Sequence, residues 1–399
     1  MLAQANKIQD IWRADMQPLR CIFAASLSLP LLSLPALAEV VVKFGHAGPL
    51  SGPASHLGKE NENAVRLALE EANTKGIVIG GQKVKFELDS EDDASDPRTG
   101  TLVAQKLVDA QVSAIVGHMN SGVTIPASKI YATAGIPHIT PSATNPKLTE
   151  QGFATTFRLV GRDDQQGPAL AIFGVQRMNG KTFAVIDDRT AYGQGLADEF
   201  EKKIKALGGK VVAHEYTTDK AVDFMSIITA IKGHNPDIVM YGGMDATAGP
   251  LLVQMRRLGL KSKVLLGDGA CTGDMVRLGG EAMDGSVSCS QAAMDIAKMP
   301  GAKKLQAKYT KRFGLPLRAY GYQAYDAANF FIAAMIKAQS TDPKVFMPAM
   351  HTVKVAGAIG PISFDGKGDM KSPAITIYGY DKAFQDNSGW KAVNMITME

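Results

Sequence analysis

Cysteine and tryptophan are scarce in this chain, and strong charge of either sign is absent. Only three cysteines and two tryptophans occur among 399 residues, and the formal net charge is +4. Basic residues form no run of five or more, so neither nucleic acid nor a membrane surface is indicated as a partner. The seven histidines form no H-x-x-x-H pair and join no cysteine at metal-ligand spacing. We therefore expect no metal site and no cofactor.

Long apolar runs are also absent, except for one near the start. Arg20 is followed by the apolar segment 21–38, which contains two prolines and ends in Ala36-Leu37-Ala38. A basic residue, a short apolar core and an A-x-A ending are typical of a secretory signal peptide. We predict that residues 1–38 are a signal peptide cleaved after Ala38, with Met16 as an alternative start. No later run is long enough to cross a bilayer, so we expect export without stable membrane insertion.

Only Cys271 and Cys289 remain after the predicted cleavage. An isolated cysteine pair in an oxidising compartment often forms a disulfide. Two buried thiols are the alternative, and the sequence alone does not decide between them.

The remaining chain alternates short β-rich runs with amphipathic helical runs, and its length suits about two domains of roughly 150 residues each. Strands alternating with helices predict an α/β fold with parallel sheets, here two doubly wound lobes. The predicted strands are 40–45, 84–89, 114–117, 137–139, 182–187, 210–215, 237–241, 263–266 and 374–380. The predicted helices are 58–73, 96–110, 126–133, 194–207, 223–232, 246–258, 274–278, 303–312 and 320–338.

Hydroxyl side chains follow two successive strands of the first lobe. Ser121 follows the strand that ends at residue 117, and Ser142 and Thr144 follow the next strand. Hydroxyls and free backbone N–H groups at helix starts suit a bound carboxylate, although ordinary helix capping is the alternative. In the second lobe, Asp268 ends a strand and suits a ligand ammonium, while Tyr192 begins a helix and suits an apolar wall.

One enzyme hypothesis also arises from the residues. The turn Gly269-Ala-Cys271-Thr-Gly273 has the spacing of a nucleophile elbow with cysteine in place of serine, and it lies between a predicted strand and a predicted helix. His351 and an acidic residue would be needed to complete a hydrolase triad. The alternative is a glycine-rich turn whose cysteine pairs with Cys289, because oxidation removes the nucleophile.

A set of short stretches, in one order along the chain, resembles the periplasmic leucine/isoleucine/valine-binding proteins, the type I solute-binding components of ABC importers. The stretches span almost the whole chain after the signal peptide. They are Gly48-Pro-Leu-Ser-Gly-Pro53, Asp92-Asp-Ala-Ser-Asp-Pro97, Val116-Gly-His118, Pro126-Ala-Ser-Lys-Ile-Tyr131, Ile139-Thr-Pro-Ser-Ala-Thr144, Gln166-Gly-Pro168, Tyr192-Gly-Gln-Gly-Leu-Ala197, Tyr241-Gly-Gly243, Gly360-Pro361, Phe364-Asp365 and Lys367-Gly-Asp369.

The resemblance implies two Rossmann-like lobes joined by three crossings near residues 160, 291 and 372. Lobe one would comprise 39–160 and 292–371, and lobe two 161–291 and 372–399. A protein of this kind is a periplasmic monomer rather than an enzyme. It traps a small amino acid by lobe closure and delivers it to the membrane permease of an ABC importer.

The resemblance also implies residue roles. Ser121 and Thr144 would hold the ligand carboxylate, and the Ser142 carbonyl would accept from the ligand ammonium. Asp268 would be the acidic partner of that ammonium, and Tyr192 would pack on the ligand. Cys271 and Cys289 would join parts of the second lobe.

Two positions depart from the family at the side-chain end of the pocket. Leu57 stands where members often carry an aromatic residue, and Met244 replaces a pocket tyrosine. One methylene is worth only about 0.8 kcal/mol, so such changes can re-rank aliphatic ligands. A branched-chain or related amino acid is the expected ligand. The alternative is a binder of amides, urea or aromatic acids on the same scaffold.

Overall fold

The computed structural model describes residues 39–284, 287–318, 320–384 and 389–397. The predicted signal peptide, residues 1–38, lies outside the described residues. Within the described ranges, no helix has both the length and the apolar character needed to cross a membrane.

The first sheet is built around a central strand that is buried along most of its length. Its order is β2-β3-β1-β4-β5-β6, and β1 pairs in parallel with both β3 and β4. The apolar runs of β1 and β4 explain this position, because a central parallel strand is covered on both faces. The strands are β1 Val40–Gly48, β2 Val78–Ile79, β3 Gln82–Asp92, β4 Ala114–Gly117, β5 His138–Thr140 and β6 Thr156–Arg158.

Helices from two separate parts of the chain cover this sheet. The helix α11 packs against α1, and both contribute to one apolar core with the strands of the first sheet. The helices of this part are α1 Ser55–Thr74, α2 Pro97–Asp109, α3 Ser121–Ala134 and α4 Lys147–Glu150, together with α10 Ala302–Phe313, α11 Gly321–Ala338 and α12 Pro343–Met350, which follow later in the chain. A small hairpin follows α12 and comprises β12 Val355–Gly357 and β13 Gly360–Ile362.

The second sheet repeats the doubly wound plan. Its order is β15-β14-β11-β10-β9-β7-β8, with the last two strands of the chain added antiparallel at one edge. Its strands are β7 Thr182–Asp187, β8 Lys210–Tyr216, β9 Ile238–Gly242, β10 Lys263–Leu266, β11 Val287–Gln291, β14 Ala374–Tyr380 and β15 Trp390–Thr397. Its helices are α5 Asp163–Gln176, α6 Ala191–Ala206, α7 Met225–Gly233, α8 Asp245–Arg257 and α9 Gly273–Gly279.

The apolar cores separate at the predicted crossings. Leu159 belongs to the core of the first sheet, whereas Val160 belongs to a core of the second. Ala292 and Ile375 also lie in that second core, while Met370 packs against the first. This division supports crossings near residues 160, 291 and 372, and the lobe boundaries themselves stay a prediction.

The predicted elements are confirmed in type and order, and the differences concern their ends and several elements that the sequence pattern did not indicate. The helix predicted at 126–133 begins at Ser121, five residues earlier, so Pro126 lies inside the helix rather than at its start. The strands β2, β6, β11, β12, β13 and β15 and the helices α4, α5 and α12 were not predicted individually. The α5 sequence has apolar residues on several sides and weak helical periodicity, which hides it from a pattern search.

Candidate functional site

Two polar turns meet at the carboxyl ends of β4 and β5. Ser121 is the first residue of α3, and its hydroxyl accepts a hydrogen bond from the backbone N–H of Asn145 at 3.2 Å. Ser142 lies in the turn after β5, and its hydroxyl donates to the carbonyl of Met119 at 2.9 Å. Ligands of doubly wound sheets bind at this kind of strand end.

Thr144 lies deeper than the two serines. Its side chain is fully buried, and its hydroxyl lies beside the Asp163 carboxylate, whose pKa it lowers. Its backbone carbonyl accepts from the N–H of Asp163, the first residue of α5.

Asp268 and Tyr192 face this edge from the second sheet. The Tyr192 hydroxyl donates to Asp268 Oδ1 at 2.8 Å, and the Gln166 side-chain amide donates to the same oxygen at 3.0 Å. The Gly269 N–H donates to the Tyr192 hydroxyl at 2.9 Å. Both side chains are therefore held in fixed positions by neighbours from three segments.

Tyr320 closes the site from the side of the first sheet. It directly precedes α11 and lies in one apolar cluster with Ala54, Leu57 and Met119. Its hydroxyl donates to Asp268 Oδ2 at 2.7 Å. Sequence reasoning missed this residue because no strand precedes it. The aromatic run Tyr320-Gly-Tyr322 at a helix start was the only signal.

A small cavity lies between these groups. Its volume of about 20 Å³ is close to the space that one water molecule needs. Thr144 and Leu57 do not line it. Met244 does, and it also packs against the cluster that contains Leu57, so the two departures from the family lie at one end of the site. The lining residues are Met119, Asn120, Ser121, Ser142, Tyr192, Met244, Asp268, Gly269 and Tyr320.

The site carries buried acidic groups. Burial raises the pKa of Asp268, and the hydrogen bonds from Tyr320, Tyr192 and Gln166 oppose that rise. Burial and the neighbouring Asp268 charge also raise the pKa of Asp163 well above its usual value. The neighbouring Thr144 hydroxyl lowers the Asp163 pKa and partly opposes that rise. This acidic interior suits a cationic group such as an ammonium.

A disulfide joins two segments of the second lobe. Cys271 and Cys289 are joined, with their Cα atoms 5.3 Å apart and a sequence separation of 18. The bond connects the turn before α9 to β11 of the second sheet. Because the sulfur of Cys271 is bonded, it presents no thiolate for the nucleophile-elbow hypothesis.

Comparison with known proteins agrees with this geometry. A family model described as periplasmic binding protein matches residues 41–384. The chain belongs to the periplasmic binding protein family. A Leu/Ile/Val-binding protein homolog 1 from Brucella abortus (strain 2308) is 37% identical over 351 residues, which cover 87% of this chain and 92% of that protein.

Solved structures confirm the predicted fold class. A leucine binding protein LivK from Thermotoga maritima MSB8 has a TM-score of 0.80 and 27% identity, with 89% of this chain and 98% of that chain covered. A solute binding protein from R. palustris in complex with benzoate has a TM-score of 0.78 at 20% identity, with 89% of this chain and 96% of that chain covered. The second likeness concerns the fold alone.

Proposed function

We propose that the chain is a periplasmic solute-binding protein of an ABC importer that traps a branched-chain or related amino acid by lobe closure. The observation that carries the proposal is the pairing of two polar turns on the first sheet with the buried acid Asp268 on the second. The Brucella relative and the Thermotoga structure bear names that state Leu/Ile/Val or leucine binding. Release to a membrane permease and a monomeric state belong to the same proposal.

The two sides of the site match the two ends of an α-amino acid. The free N–H groups at the start of α3, with the hydroxyls of Ser121 and Thr144, suit the carboxylate. Among the side-chain hydrogen bonds of the described residues, Asp268 Oδ2 accepts one, from Tyr320, which leaves a lone pair for the ammonium. The Ser142 carbonyl supplies a second acceptor, and Tyr192 packs on the ligand.

Closure is part of the proposed mechanism because the cavity of about 20 Å³ is too small for an amino acid. The lobes must separate, or the Tyr320 side chain must move, before the ligand enters. The closed form is then favoured only by contacts that the ligand makes with both lobes. The aliphatic end would lie toward Leu57 and Met244, which we propose select the side chain.

Calorimetry with L-leucine, L-isoleucine, L-valine and benzoate tests the proposal. We expect an aliphatic amino acid to bind, and Asp268→Ala to weaken that binding by at least about tenfold, because losing one partner of a desolvated charge pair costs about 2–5 kcal/mol. Binding of benzoate alone would instead support the aromatic-acid alternative, in which Asp268 has no ammonium to contact. An aliphatic ligand that binds Asp268→Ala as tightly as wild type would contradict the proposed role of Asp268.

A further inference from the structure

A second cluster of ligating side chains lies beside the proposed solute site. His56 comes from the first turn of α1, Asp245 is the first residue of α8, and Asp274 lies in the first turn of α9. His56 Nε2 lies 2.9 Å from Asp245 Oδ2 and 3.5 Å from Asp274 Oδ2. The three ligand atoms all lie within 4.8 Å of one another. The histidine belongs to the first lobe, and both carboxylates belong to the second.

The imidazole orientation leaves Nε2 facing two carboxylates. His56 Nδ1 lies 3.1 Å from the carbonyl oxygen of Pro53, and a carbonyl only accepts, so Nδ1 carries a proton. A neutral ring then directs its Nε2 lone pair at Asp245 and Asp274, which are also acceptors. Either a second ring proton on Nε2 or a metal ion held between the three atoms resolves this arrangement. A histidine that donates its other ring N–H to a backbone carbonyl is also the usual arrangement of a metal ligand.

The surroundings of Asp245 favour a positive charge close to its carboxylate. Its side chain is only 1% exposed, and its Oδ1 atom is buried with no hydrogen-bond partner within the described residues. Its Oδ2 atom accepts from the Thr272 hydroxyl at 2.6 Å, which fixes the carboxylate beside His56. The oxygen without a partner is Oδ1, whereas Oδ2 faces His56, so a cation there would stabilise the buried negative charge of the carboxylate rather than bond Oδ1.

We propose that His56, Asp245 and Asp274 form a binding site for a divalent transition-metal ion of the Zn²⁺ class that bridges the two lobes. Imidazole nitrogen and carboxylate oxygen are ligands that Zn²⁺ accepts at bonds of about 2.0–2.2 Å. A tetrahedral arrangement with such bonds separates its ligands by about 3.3 Å, and the two observed separations lie on either side of that distance. Water would take the open position.

Two arginines lie next to Asp274 and influence the affinity of the site for a cation. Arg277 Nε donates to Asp274 Oδ1 at 2.9 Å, which leaves Oδ2 toward His56. Arg318 Nη1 lies 3.7 Å from Oδ2, and the Arg318 side chain is 44% exposed. The Arg318 charge opposes a bound cation and can turn toward solvent. Removing that charge should therefore strengthen metal binding.

Calorimetry with ZnCl₂ on tag-free protein without amino acid measures the site alone, and the visible absorption of bound Co²⁺ reports its coordination. We expect one ion per chain. Changing residues around a metal typically costs about 10–100-fold in affinity, so His56→Gln, which removes a direct ligand, should cost at least about tenfold. Arg318→Gln should bind more tightly than wild type. His234→Gln, which changes an exposed histidine at the end of α7, is the matched control and should bind as wild type does.

The proposal is wrong if wild type takes up no Zn²⁺, which is the result expected if only a proton bridges His56 and the carboxylates. It is also wrong if His56→Gln binds Zn²⁺ as tightly as wild type. A further measurement rests on the proposed function. Because the metal ligands come from both lobes, Zn²⁺ should tighten leucine binding by roughly tenfold, and leucine should tighten Zn²⁺ binding by the same factor. Failure of leucine to bind at all would count against the proposed function and leave the zinc measurement unaffected.

Discussion

Tyr320 donates a hydrogen bond to Asp268 across the cleft, with 2.7 Å between the tyrosine hydroxyl and Asp268 Oδ2. Tyr320 packs with the first lobe and Asp268 lies in the turn after β10 of the second, so the bond joins the lobes at the proposed solute site. The side-chain amide of Asn145 makes a second bond of this kind, to the carbonyl of Ala191 at 2.6 Å. The lobes are therefore in direct contact in this structure.

Removing the Tyr320 hydroxyl should weaken the contact between the lobes. Tyr320→Phe keeps the ring in its apolar cluster but deletes a hydrogen bond to a carboxylate, typically worth about 1.5–3 kcal/mol. We expect the ligand-free protein to open, which small-angle scattering would report as a larger radius of gyration. Tyr322→Phe, which deletes a hydroxyl bonded to Gln306 within the first lobe, should leave the scattering curve unchanged. Equal curves for all three proteins would contradict this interpretation.

Arg158 and Asp369 form a buried ion pair that supports the serine and threonine turns. Arg158 is fully buried, and its Nε donates to Asp369 Oδ1 at 2.6 Å. Its guanidinium also donates to the carbonyls of Ala143 and Asn145, on either side of Thr144. Removing one partner of a buried pair typically costs about 3–5 kcal/mol.

Asp369→Asn should therefore lower the free energy of unfolding by about 3–5 kcal/mol in urea. Glu70→Gln is the comparison, because Glu70 pairs with Arg312 on the surface with both side chains at least 41% exposed. An exposed pair contributes about 0–1 kcal/mol. If the two variants lose similar stability, the ion pair between Arg158 and Asp369 does not support the serine and threonine turns.

Much of the site was predictable because strand ends and polar turns are local features. Ser121 and Ser142 were found because each follows a short apolar strand, and Asp268 because it ends one. Tyr320 and Gln166 precede or lie in helices that approach the site from elsewhere in the chain, so no local pattern places them there.

Thr144 shows a different limit, since its depth behind the two serines depends on packing. The cluster of His56, Asp245 and Asp274 shows the same limit more strongly. Its members come from three distant segments, and the expectation of no metal site rested on spacing within single segments. Only the tertiary contact between the lobes brings these atoms together.

The Cys271–Cys289 disulfide should stabilise the second lobe. For a closed loop of this size the chain-entropy estimate is about 3 kcal/mol, so the double variant Cys271→Ser, Cys289→Ser should melt at a lower temperature than wild type. Reductant should lower the melting temperature of wild type and leave the double variant unchanged. Thiol counting on the denatured mature protein should find no free thiol; two free thiols would mean that the buried-thiol alternative is correct.

Acid should destabilise the protein partly through His138. This ring is fully buried between the Gly117 carbonyl and the Thr156 hydroxyl, and burial lowers its pKa to about 3. The unfolded ring has a pKa of about 6.5, so between those values the unfolded state binds a proton that the folded state does not. Stability should thus fall as the pH drops below about 6.5, by up to about 1.4 kcal/mol per pH unit from this group.

Urea unfolding of His138→Gln, measured at pH values about one unit apart between about 4.5 and 7, checks the direction of this pH dependence. The variant is expected to be less stable at neutral pH, because two buried hydrogen bonds change, but its stability should depend on pH less steeply. His46 is also buried, with a pKa lowered to about 4, so part of the acid dependence should remain. The exposed-histidine variant His234→Gln should keep the wild-type slope, and an equally steep slope in His138→Gln would show that His138 does not carry the effect.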